Sequence, residues 1–66
     1  MMVNYEPKAA LNSRYTIEEA AELLGIHRNT LLRYVKQGLL RCGFRRNNRR
    51  KFFLGSEIIR FWKAQL

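Results

Sequence analysis

Residues 16 to 40 read TIEEAAELLGIHRNTLLRYVKQGLL, two short apolar-periodic runs parted by one glycine and closed by another. Thr16 followed three residues later by Glu19 is a capping box, in which the hydroxyl accepts from an orphan amide and the carboxylate reaches back. Glu18 and Glu19 also complement the positive end of a helix dipole. Ile17, Ala20, Ala21 and Leu24 recur at helical spacing, with Glu18 and Glu22 on the other side. Gly25 ends this helix in a left-handed conformation. Only Ile26 and His27 precede the second run. There Leu31, Tyr34 and Val35 mark the buried face, Arg28, Asn29, Leu32, Arg33 and Lys36 lie outside, and Gly38 closes the helix. Two short helices joined so tightly predict a helix-turn-helix, and the small Ala21 lets them approach closely.

Downstream, residues 40 to 55 read LRCGFRRNNRRKFFLG. If Asn47-Asn48 forms a two-residue turn, both residues need positive φ, which asparagine tolerates. Phe44 then opposes Lys51, Gly43 opposes Phe52, and Cys42 opposes Phe53. In that register Leu40, Cys42, Phe44 and Phe53 face the core. Arg41, Arg45 and Arg50 share the other face with Phe52, which covers Gly43, and Arg46 and Arg49 flank the tip. Ser56 is placed to cap a third helix, SEIIRFWKAQL, whose apolar face is Ile58, Ile59, Phe61 and Trp62. Trp62 is read as a core anchor, because so small a domain needs its buried area. Upstream, residues 1–13 carry a proline and no clear period, which predicts a flexible N-terminal arm ahead of a domain spanning 14–66. The fold class expected is mainly α with a small β-hairpin: a winged helix-turn-helix in the order helix, turn, helix, strand, wing, strand, helix.

Composition narrows the function. Sixty-six residues make one domain at most. One cysteine, Cys42, excludes an intrachain disulfide framework, and one histidine leaves a structural zinc site without ligands. No stretch has the length of a membrane span or a signal peptide, so a reduced, cytoplasmic protein is expected. Net charge is +8, yet the five acids are Glu6, Glu18, Glu19, Glu22 and Glu57, so residues 23 to 56 contain none. Nine of the thirteen basic residues fall in that window. Such segregation makes a one-sided positive field suited to phosphates or an anionic membrane. A membrane partner is not expected, since the basic residues lie on a hairpin and a capped helix rather than one long amphipathic helix. There is no nucleophile with a paired base, no carboxylate pair, no phosphate-cradling glycine loop and no metal cluster, so a non-enzyme without cofactor is expected.

The stretch YTIEEAAELLGIHRNTLLRYVKQGLL resembles the opening of the small excisionase and AlpA-type DNA-binding proteins. It is also similar to the winged-helix head of the MerR regulators, in the T-L-x-x-Y spacing of Thr30 to Tyr34 and the G-L-L of Gly38 to Leu40. RKFFLGSEIIRFW resembles the second wing strand and closing helix of the excisionase group. The sequence departs at His27, where this family usually carries a serine cap. Full MerR regulators continue into a long dimerisation helix and an effector pocket, whereas this sequence stops at Leu66, so effector sensing by this polypeptide alone is not expected.

The resemblance implies duplex DNA as partner. The second helix would enter the major groove with its N-terminal residues nearest the base edges. Arg28 suits guanine and Asn29 adenine, while Arg33 and Lys36 suit phosphates. Thr30 suits a phosphate or a local backbone bond, Leu32 a thymine methyl or a sugar, and His27 either a cap or a DNA contact. The wing, with Arg41, Arg45, Arg46, Asn47, Asn48, Arg49, Arg50 and Lys51, would lie along a minor groove, whose narrow form favours inserted arginine. By resemblance the protein would be an excisionase that bends DNA for a tyrosine-recombinase integrase, with further copies of itself along the site. An AlpA- or MerR-like transcription regulator fits the same residues. A protein-interaction adaptor or an RNA-binding module accounts less well for the acid-free window.

Overall fold

The computed structural model describes residues 2–65. It is a winged helix-turn-helix. The capping box opens α1 (Ile17–Leu24), with Glu19 N donating to Thr16 Oγ1 at 3.1 Å and Thr16 N to Glu19 Oε1 at 2.9 Å. Gly25 closes the helix at φ 71°. Glycine is required there twice over, because a Cβ would also sit 2.6 Å from Val3 Cγ1. His27 is the N-cap of α2 (Arg28–Lys36), and its Nδ1 accepts from Asn29 N at 3.1 Å. At the far end Gly38 N donates to Val35 O and Leu39 N to Tyr34 O, both at 3.0 Å, which is the Schellman arrangement.

Three short strands complete the domain: β1 (Arg14–Tyr15), β2 (Gly43–Phe44) and β3 (Lys51–Leu54). They form an antiparallel sheet in the order β1-β3-β2, and β3 passes without a loop into α3 (Gly55–Ala64). The expected wing register holds, with Gly43 opposite Phe52 and Phe44 opposite Lys51. A Cβ at Gly43 would collide with the Phe52 ring, so that ring does cover the glycine. Phe52 also carries the Arg14 guanidinium 4.8 Å above its centre. The pairing of β1 with β3, Arg14 to Leu54 and Tyr15 to Phe53, is an addition to the expected hairpin.

The core joins Ala20, Ala21 and Leu24 of α1, Leu31 of α2, Leu40, Phe53 of β3, and Ile58, Phe61 and Trp62 of α3. Complete burial of a leucine, isoleucine or phenylalanine contributes about 1.5–3 kcal/mol each, so this one cluster is the main source of stability. Ile17, Ile26, Tyr34, Val35 and Cys42 pack half-buried around it.

Several expectations are corrected. Phe44 is not a core residue: it is 57% exposed, at the turn end of the paired part of the hairpin. The regular pairing of β2 is shorter than expected: it begins at Gly43, so Cys42, next in register opposite Phe53, lies just outside the strand. The wing does not turn on two asparagines with positive φ. Among the described non-glycine residues only Arg49 has positive φ, at 55°. Arg49 N donates to Arg45 O at 2.8 Å and Arg45 N to Arg50 O at 2.9 Å, so residues 46–49 make a longer turn. Asn48 contributes through its side chain, its Oδ1 accepting from Arg50 N at 3.0 Å.

Ser56 does not cap α3 either. The helix starts at Gly55 after Leu54, which makes no side-chain cap. Carbonyls from the N-terminal segment take that role instead: Gly55 N donates to Ser13 O at 3.0 Å and Ser56 N to Leu11 O at 3.2 Å. The segment read as an arm lies along the body. Val3 N donates to Leu24 O and Trp62 Nε1 to Val3 O, each at 2.9 Å, so one residue ties the end of α1 to α3. No described helix is long and apolar enough to cross a membrane.

Candidate nucleic-acid interface

Helix periodicity decides which side chains of α2 are available. Leu31 is fully buried and Tyr34 and Val35 half-buried, which turns Arg28, Asn29, Arg33 and Lys36 outward, with Leu32 half-buried on the same outer face. At 100° per residue these five fall within an arc of about 140°. Arg28 opens the helix, so its side chain has the reach of the N-terminal turn. Thr30 lies half-buried on the flank.

Beside that face stands the wing, and between them runs a cleft of about 660 Å³. Arg28 and Leu32 of α2 line one wall, and Phe44, Arg45, Asn48, Arg49, Arg50 and Lys51 of the wing line the other. The N-cap Thr16 and the first α1 residues, Ile17 and Glu18, line it as well. Seven of the side chains singled out from sequence therefore meet in one concavity. His27, Asn29, Arg33 and Lys36 stay outside it as exposed neighbours on or next to α2. Arg41, Arg46 and Asn47 are exposed on the wing but do not line the cleft.

The electrostatics of the two walls differ. Among the described residues the ion pairs are Glu18 with Arg28 at 4.0 Å and Glu57 with Arg60 at 2.7 Å. The wing cations have no carboxylate partner there, which leaves their donors for an external anion. Glu57 is engaged on α3, where its hydrogen bond and then its charge raise the pKa of Arg60. The His27 ring, accepting at Nδ1 in its neutral form, carries its proton on Nε2 and directs that donor away from the cap.

Four cleft residues escape the reading of the sequence: Thr16, Ile17, Glu18 and Phe44. Strand alternation argued the opposite for Phe44. For Glu18 a signal existed, since the capping box uses Glu19 and leaves the neighbouring carboxylate outside the cap's hydrogen bonds.

No curated protein and no solved structure matches the chain. The model of a helix-turn-helix domain family matches residues 14–66, which covers every element described above. The chain thus belongs to the helix-turn-helix family of small, DNA-binding, excisionase- and AlpA-like domains.

Proposed function

We propose that the protein binds duplex DNA sequence-specifically and acts as an excisionase, bending an attachment site so that a tyrosine-recombinase integrase excises rather than integrates. The observation that carries the reading is the shared cleft: Arg28 and Leu32 of α2 face Arg45, Asn48, Arg49, Arg50 and Lys51 of the wing across it. A helix in the major groove and a hairpin in the adjacent minor groove straddle one phosphate strand, and the unpaired wing cations are stabilised by that strand. Arg28 and Asn29 read base edges, and Arg33, Lys36 and the wing arginines hold phosphates. The protein itself carries out no bond chemistry, which belongs to the integrase. Its other partners are further copies of itself along the site.

Footprinting and bending measurements on DNA flanking the gene test the binding, and an excision assay with a tyrosine-recombinase integrase encoded beside it, where there is one, tests the role. A protected, bent site with excision raised supports the proposal. Protection that alters only transcription from an adjacent promoter replaces it with an AlpA- or MerR-like regulator. Equal binding to all duplexes refutes both.

A further inference from the structure

We propose that Glu18 reads a base: with Arg28 it forms a two-residue probe for one G·C pair, and it trades general affinity for specificity. The inference rests on the DNA-binding reading above and extends base recognition from α2 to α1. Three observations carry it. Glu18 is the lone acid lining a cleft that also holds Arg28, Arg45, Arg49, Arg50 and Lys51. Glu19 is occupied by the capping box, whereas the Glu18 side chain is 67% exposed. Its Oε1 lies 4.0 Å from Arg28 Nη1, longer than the ~2.7–2.9 Å of a charge-assisted hydrogen bond, so both heads remain able to turn to a third partner.

A carboxylate facing phosphates repels every duplex alike. Facing base edges it discriminates, because it only accepts hydrogen bonds while the arginine beside it only donates. In the major groove a G·C pair presents N7 and O6 as acceptors and the cytosine N4 amino group as a donor. Arg28 matches the guanine and Glu18 the cytosine amino group next to it. An A·T pair presents the thymine O4 lone pairs instead and places an adenine amino donor against the guanidinium. The pair therefore favours G·C at this position and resists a general slide onto the backbone.

The test compares full-length Glu18→Gln and Glu18→Asp with the parent, using duplexes permuted at each base pair of the preferred site and a random-sequence duplex. Glu18→Gln removes a repulsive charge, so affinity for the random duplex rises. Its preference for one G·C pair falls by at least about five-fold, at the position that Arg28→Ala relaxes or next to it. Glu18→Asp keeps the charge and its contact with the helix dipole but withdraws the carboxylate by one methylene. It loses the same preference while affinity for the random duplex is unchanged. If either folded variant discriminates like the parent at every position, the proposal is overturned. A parent that binds all duplexes alike refutes sequence-specific binding itself. A discriminating parent with an equally discriminating Glu18→Asp refutes the role of Glu18 alone.

Discussion

The helices α1 and α2 are closed at both ends by their own residues, whereas the wing is anchored at its base and charged at its tip. Thr16, Glu19 and Gly25 bound α1, and His27 and Gly38 bound α2, each through a hydrogen bond or a backbone angle that neighbours in sequence supply. In the wing, residues 44–51 are all exposed, β2 has only two residues, and the turn places a bulky arginine at positive φ. A non-glycine residue in that region costs roughly 1–2 kcal/mol. The helical half is shaped by its own local bonds, whereas the wing holds a form that like-charge repulsion opposes and that, on the proposed binding mode, phosphates would compensate. The comparison predicts that the two halves fail differently.

The largest effect comes where they meet. Phe53 is fully buried, lies in the strand that joins β1, β2 and α3, and packs in the core with Leu24 and Leu31. Phe53→Ala should cost about 3–5 kcal/mol. A chain of this length has only about 3–10 kcal/mol to lose, at 0.05–0.15 per residue. Helix and wing signals should therefore vanish together in a thermal melt followed by circular dichroism and by tip-residue NMR. If the helices keep the parental Tm, the two halves do not share one core.

Within the helical half, Arg28→Ala and Asn29→Ala should each relax preference at one base position, at about 1–3 kcal/mol on the best site. Lys36→Ala should weaken all sequences about equally. Uniform losses from all three would mean that α2 does not read bases.

The wing should respond in affinity without responding in stability. Arg46→Ala with Arg49→Gly removes two cations and gives the positive-φ position a residue that adopts it without strain. Tm should hold or rise. The slope of log affinity against log salt should shrink by about 1.8, from about 0.9 per phosphate contact. The loss should be greatest where a narrow A·T-rich minor groove adjoins the helix contact. Unfolding of this variant would make the wing turn structural, and an unchanged slope would mean that these arginines meet no phosphate.

The same contrast governs what the sequence makes legible. Capping box, glycine turn and strand register rest on residues a few positions apart, and reading them gave Thr16, Glu19, Gly25 and the Gly43–Phe52 pair correctly. The wing turn differs from the expected one because asparagine is the usual bearer of positive φ, while here Asn48 acts through its side chain and Arg49 takes the strained angle. Contacts spanning the chain left no local trace. Val3 reaches Leu24 and Trp62, and β1 is two residues long, too short to show alternation. The site divides likewise. Its cations announce themselves by charge, but Thr16, Ile17 and Glu18 join it only because the tertiary fold brings the start of α1 against the wing.

The smallest predicted effect concerns the residue at the boundary between these two kinds of information. His27 occupies the cap of α2 with an Nδ1 contact of 3.1 Å to Asn29 N, although serine is among the preferred caps and histidine is not. If capping were its whole role, His27→Ser would improve stability and leave DNA binding alone. Its Nε2–H, however, points away from the cap at the end of α2 nearest the proposed groove contact, beside Arg28 and Asn29. We therefore expect opposite signs. Stability should rise by under about 1 kcal/mol, the usual scale of a cap exchange. Affinity should fall by a similar amount, the usual net worth of one hydrogen bond. A thermal melt and a titration of the same two proteins suffice. A gain in stability with unchanged affinity would make His27 a cap alone, and a loss in both would mean that the imidazole holds the start of α2 better than a hydroxyl does.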